Sequence, residues 1–151
     1  LNEGIFRGET INTPSMLAVE DYLLALDWAR SVGGLSGLIA RADANAQAIW
    51  DFCEARDWID NLAVDPATRS NTSVCLKFTD DRIADPAAFA KAVQKRLEAE
   101  DAALDVGAYR DAPAGLRIWC GGTVETTDIE TMLTWLDWAF HVEIEAQAQA
   151  A

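Results

Sequence analysis

The stretch Ser70-Asn71-Thr72-Ser73-Val74-Cys75-Leu76-Lys77-Phe78 decides the fold class. Val74, Leu76 and Phe78 alternate with Ser73, Cys75 and Lys77, the two-residue period of a strand with one face on a core and the other towards water. On its N-terminal side, Asp65-Pro66 marks a turn, and residues 58–64 predict another strand. On its C-terminal side, Asp85-Pro86 pairs a helix cap with a proline at the first helical position, where the missing N–H removes no hydrogen bond. The stripe of that helix is Phe89, Val93 and Leu97. Residues 104–109 predict a short strand, 111–115 a Pro/Gly loop, and 116–120 a strand ended by Gly121-Gly122.

Helices bracket these strands. Thr13 can cap a first helix with Pro14 at its first position; Met16, Val19, Leu23, Leu26 and Ala29 follow at helical spacing, and Gly33-Gly34 stops the run. A second helix is predicted over residues 36–56, with Leu38, Ile39, Ala42, Ala46, Ile49, Trp50 and Cys53 on one face. Thr126 or Thr127 caps a last helix carrying Ile129, Leu133, Leu136 and Phe140. The expected order is helix, helix, strand, strand, helix, strand, strand, helix. That order predicts an α+β fold, a small, mostly antiparallel sheet with helices packed on one face. Residues 1–14 read as an extended arm or inter-domain segment, 15–142 as the domain, and 143–151 as a frayed tail.

The 151 residues suffice for one domain with a real core. Acidic residues outnumber basic ones 25 to 12, a net charge of −13. This surface repels phosphate backbones and anionic membranes, so neither nucleic acid nor membrane is expected as a partner. No apolar run is long enough to span a bilayer. Cys53, Cys75 and Cys120 form no CxxC pattern, which favours a reduced, cytoplasmic setting over a disulfide scaffold or zinc site. His141 is the one histidine, so His-based triads and His-rich metal sites are not expected, and no metal is assigned. The chain starts without methionine: either a leader has been removed or the chain belongs to something longer.

In so acidic a chain the arginines carry the information. Arg110 ends one predicted strand and Arg117 lies in the next, across the 111–115 loop, so both can reach one rim of the sheet. Two guanidiniums there would form a fork for carboxylate or phosphate; simple surface pairing with acids explains the same residues. Arg69, beside Ser70-Asn71-Thr72, is a third cation at a strand start. Asn12-Thr13-Pro14, with the free N–H groups of a helix start, can receive an anion; an ordinary cap is the simpler reading of the same residues, and a cap can also face a ligand. The lysines Lys77, Lys91 and Lys95 have no catalytic setting, and the six tryptophans read as packing residues.

Several ordered runs resemble phosphoserine aminotransferases: Gly8-Glu9-Thr10-Ile11-Asn12-Thr13-Pro14-Ser15-Met16, Leu38-Ile39-Ala40-Arg41-Ala42-Asp43-Ala44-Asn45, Arg69-Ser70-Asn71-Thr72-Ser73-Val74-Cys75, Gly107-Ala108-Tyr109-Arg110-Asp111-Ala112-Pro113, and Gly115-Leu116-Arg117-Ile118-Trp119-Cys120-Gly121. Leu1 to Phe6 and Trp135-Leu136-Asp137-Trp138-Ala139-Phe140 extend the match over nearly the whole chain. The resemblance implies the C-terminal small domain of a fold-type I, class V transferase that uses pyridoxal 5′-phosphate (PLP) as a cytoplasmic homodimer. Its implied reaction interconverts 3-phosphoserine and 2-oxoglutarate with 3-phosphohydroxypyruvate and glutamate, in serine and vitamin B6 biosynthesis. The Schiff-base lysine is then expected upstream of Leu1, and the chain alone is expected to be inactive. By the same resemblance Asn12 and Thr13 reach the PLP phosphate of the partner subunit, Arg117 grips the substrate carboxylate, and Arg110 helps bind the substrate phosphate. Tyr109 stands where many relatives carry histidine, so the phosphate contacts differ in detail. Strand and helix pattern alone equally permits a free-standing module that binds an anionic metabolite for regulation.

Overall fold

A computed structural model describes residues 3–150 of the chain. Its contacts divide into two compact units, Leu1–Gly37 and Leu38–Ala151.

The first unit opens with a 3₁₀ helix at Glu3–Arg7, where an extended arm is expected; Leu1 and Asn2 lie outside the described residues. Helix α1 spans Met16–Ser31. Its cap is Ser15 and not Thr13: the Ser15 hydroxyl accepts from the Ala18 N–H at 3.4 Å, leaving Pro14 just outside the helix. No residue of α1 is buried: in its expected apolar stripe Met16, Val19 and Leu23 are exposed and Leu26 and Ala29 are only partly covered. Gly33 and Gly34, at φ 100° and 64°, end the run in the left-handed region open to glycine. Helix α2 spans Gly34–Glu54 and carries the chain into the second unit.

In the second unit β1 (Ile59–Asn61), β2 (Ser73–Phe78) and β3 (Leu116–Trp119) form a sheet in the order β1-β2-β3, antiparallel throughout. The register pairs Ile59 with Phe78, Val74 with Ile118 and Leu76 with Leu116 on one face, and Cys75 with Arg117 and Asp60 with Lys77 on the other. The first face is the buried one: Ile59, Val74, Leu76, Leu116 and Ile118 are each at most 3% exposed. They join a single core with Ile49 and Cys53 of α2, Phe89, Val93 and Leu97 of helix α3 (Pro86–Ala99), and Ile129, Leu133, Leu136 and Phe140 of helix α4 (Thr126–Ala150). The Trp58 ring stacks on Phe140 at 3.9 Å, and Phe78 and Phe89 meet edge to face at 5.0 Å.

Three expectations change here. Residues 104–109 make no strand: Gly107 forms a lone bridge to Leu116, because Asp105 turns into the left-handed region at φ 54° and breaks the extended run. The inward face of α2 takes Asn45 and Phe52, while Ile39 stays about half exposed. Beyond Val142, where fraying is expected, α4 continues to Ala150; buried Ile144 and an ion pair between Glu143 and Arg96 at 2.5 Å hold its last turns. Asp85 caps α3 as expected, accepting from the N–H groups of Ala87 and Ala88.

Candidate functional site: an arginine on the outer face of the sheet

Alternation along β3 sends Leu116 and Ile118 into the core and Arg117 to the opposite face. Cys75 is its cross-strand neighbour there, and Lys77, paired with Asp60 at 3.8 Å, lies further along β2. The strand begins under constraint, since a Cβ at Gly115 would run into the carbonyl oxygen of Leu76. Glycine therefore lets the loop return close against β2 and start β3 in this register.

Although it stands on the outer face, the Arg117 side chain is only 16% exposed. Its guanidinium lies over the Tyr109 ring at 4.4 Å, a cation–π contact. Its Nη2 donates to Asp105 Oδ2 at 3.0 Å and to the Asp105 carbonyl at 3.5 Å, while the buried Nε has no partner among the described residues. A half-buried arginine with a ring on one side and one loosely held carboxylate is built to accept a further oxyanion.

Arg110 occupies the turn that follows Tyr109; it is exposed and makes no ion pair among the described residues. With Tyr109 it lines a cleft of about 400 Å³ against Lys91 and Gln94 of α3, and no carboxylate lines that cleft. Tyr109 is thus the shared neighbour of the two arginines, touching Arg117 and flanking the Arg110 cleft. Asn12 and Thr13 belong to the first unit, exposed in the segment ahead of α1, with the Asn12 carbonyl accepting from the Thr10 hydroxyl at 2.7 Å. Arg69 donates through Nε to the Ala63 carbonyl at 3.2 Å, and His141 lies 3.8 Å from Asp137.

Behind this face, two α2 residues one turn apart fix the link from β3 to α4. Asn45, fully buried, donates its amide to the carbonyls of Cys120 (3.2 Å), Gly121 (3.2 Å) and Val124 (2.9 Å) and accepts from the Thr126 hydroxyl (2.7 Å). Arg41 donates to the Gly122 carbonyl and to Glu125, and this hydrogen bond holds the Glu125 carboxyl below the usual range. Asp105 and Asn45 were not among the expected site residues. The signal for Asn45 was a polar residue within an apolar stripe; for Asp105 nothing distinguishes it among the 25 acids.

No family model matches the chain. The curated phosphoserine aminotransferase of Methanosarcina barkeri is 48% identical to it over 144 residues, covering 94% of this chain and 37% of that protein. The chain matches one part of the phosphoserine aminotransferases. Methanosarcina mazei carries a phosphoserine aminotransferase with the same 48% identity, over 142 residues. The chain therefore spans little more than a third of the length of these aminotransferases. In three dimensions it matches the phosphoserine aminotransferase of Bacillus circulans subsp. alkalophilus with a TM-score of 0.75 at 20% identity, over 87% of this chain and 34% of that one. That likeness bears on the fold, and it agrees with the α+β architecture. Among the described residues no helix is long and apolar enough to cross a membrane.

Proposed function

We propose that this chain is the substrate-binding part of a PLP-dependent phosphoserine aminotransferase, acting in the cytoplasm as a homodimer in serine and vitamin B6 biosynthesis. The observation that carries this reading is Arg117, largely buried on the sheet face, stacked on Tyr109 and paired with the exposed carboxylate of Asp105, within a sequence 48% identical to such an enzyme. Arg117 takes the carboxylate common to phosphoserine, glutamate and 2-oxoglutarate, substrates whose far end carries a phosphate or a second carboxylate. Arg110, in its carboxylate-free cleft beside Tyr109, receives the phosphate; the cleft's Lys91 adds a second positive charge. Tyr109 orders both, by stacking on the first arginine and walling the cleft of the second.

Asn12 and Thr13 fit the cofactor's phosphate. Their side chains are exposed, they precede the free N–H groups of α1, and the Ser15 cap satisfies only the Ala18 N–H. When bound, PLP supplies the electron sink for transamination, and the protein supplies binding and orientation. A solved phosphoserine aminotransferase described for radiation damage of its Schiff base has the same fold, at a TM-score of 0.73. By the resemblance, the lysine for that bond lies upstream of Leu1 in the proposed enzyme; of this chain's own lysines, Lys77 is tied to Asp60 on the sheet and Lys91 and Lys95 sit on α3.

In the complete enzyme, Arg117→Ala raises KM for both amino donor and acceptor and lowers kcat/KM by about two orders of magnitude, the scale of a lost charge-assisted bidentate pair. Values near those of the parent for both substrates reject the carboxylate role. Replacing Asn12 and Thr13 together weakens cofactor retention, read as loss of bound-cofactor absorbance on dialysis; full retention rejects that assignment. Calorimetry of the chain alone separates the reading from a regulatory module, which would bind phosphoserine or glutamate tightly without PLP.

A further inference from the structure

We infer that Asp105 is an internal counter-ion for Arg117, displaced by the incoming substrate carboxylate, and that it sets how tightly carboxylates bind. The inference rests on the carboxylate role proposed for Arg117. A guanidinium grips a carboxylate bidentately through one of two edges, Nε with Nη2 or Nη1 with Nη2, and Nη2 belongs to both. Nη2 is the atom that donates to Asp105, at 3.0 Å to the carboxylate and 3.5 Å to the carbonyl. Any second carboxylate must therefore share Nη2 with Asp105 or take its place.

The pair is built for exchange. Arg117 is anchored: its side chain is 16% exposed, its backbone N–H is held by the Val106 carbonyl at 2.8 Å, and Tyr109 lies against its guanidinium. Asp105 is not: its side chain is 88% exposed, and Arg117 is the only group its carboxylate engages among the described residues. Without a ligand, Asp105 spares the partly desolvated guanidinium from standing without a counter-charge. With one, an exposed ion pair gives way at small loss, because water solvates the released carboxylate. The exchange favours ligands that bring their own carboxylate over neutral amines or alcohols, which cannot replace the charge. Asp105 also carries a backbone requirement, since φ 54° is tolerated by Asp, Asn and Gly and strained for most others.

That requirement supplies the test. Asp105→Asn keeps the left-handed residue and its shape while removing the charge. In the complete enzyme, with arginine side chains labelled by nitrogen-15, the Arg117 Nε–H signal is followed during titration with glutarate, a dicarboxylate without an amine, at low and at 0.3 M salt. Asp105→Asn binds glutarate at least threefold more tightly than the parent at low salt, and the gain shrinks at high salt. If Arg117 responds in both proteins and Asp105→Asn binds equally or more weakly, the counter-ion role is wrong while the carboxylate site stands. If glutarate moves the Arg117 signal in neither protein, the carboxylate site itself is refuted and the inference falls with it.

Discussion

Replacing Asn45 by alanine removes the polar knot that joins α2 to the link between β3 and α4. The amide nitrogen reaches three carbonyls but has two protons, so it makes two full bonds at a time, and the Oδ1 accepts a third from Thr126. At about 1 kcal/mol net per bond, Asn45→Ala destabilises the fold by roughly 3 kcal/mol, with backbone carbonyls left bare in the core adding to the upper side. Asn45→Asp has the same shape and introduces an ionisable carboxyl. At neutral pH it sets a carboxylate against carbonyl oxygens in a fully buried site, so folding favours the protonated acid and raises its pKa above the unfolded value. The variant is then closest to the parent below about pH 4, the unfolded carboxyl pKa, and loses stability as pH rises through the folded one. Urea unfolding followed by tryptophan fluorescence and far-ultraviolet circular dichroism measures both. An Asn45→Ala protein within about 1 kcal/mol of the parent, or an Asn45→Asp deficit that does not grow with pH, refutes the reasoning.

Gly115→Ala forces a methyl onto the Leu76 carbonyl and displaces the start of β3; a loss of about 3 kcal/mol, the upper range of overpacking, is expected in thermal unfolding, together with a shifted Arg117 side-chain resonance. Burial, joined by the nearby Asp60 charge, pushes the Cys53 thiol from 9.0 to about 12, and burial pushes Cys120 to about 11. Both resist iodoacetamide at pH 8 until urea unfolds the chain, which mass mapping of the alkylated cysteines checks. Because these folded values lie above the unfolded one, their contribution to stability is complete below about pH 9 and is lost as pH climbs towards 11 and 12; urea midpoints at pH 8 and pH 10.5 show the fall. Phe140→Ala empties the stack beneath Trp58 and lowers stability by about 3–5 kcal/mol, read from the urea midpoint with a change in tryptophan emission.

The strands that pack were legible because the core enforces alternation: Val74 and Leu76 bury as their period requires. The 104–109 segment shows the limit of that argument. Its apolar residues alternate, yet Leu104 is 74% exposed and only Val106 enters the core, because the left-handed turn at Asp105 limits pairing with the edge of β3 to a single bridge at Gly107. Helix stripes misled where a polar residue had a buried task, as Asn45 does, since periodicity counts apolar side chains and cannot see carbonyls brought from far along the chain. The arginine on the sheet face was visible from its place in a strand. Its partners were not: pairing with Asp105 and stacking on Tyr109 depend on how a loop folds back, which no local pattern encodes.

The order β1-β2-β3 also has a consequence in time. Helix α3 lies in the chain between the central strand and β3, so β3 cannot zip onto β2 as a hairpin and must find it by long-range search. The bonds from Asn45 to Cys120 and Thr126 close loops of 75 and 81 residues and add their own entropy of closure. These closures predict that the Asn45 knot tightens after the rate-limiting step. Stopped-flow kinetics should show Asn45→Ala hastening unfolding while leaving the refolding rate close to the parent's.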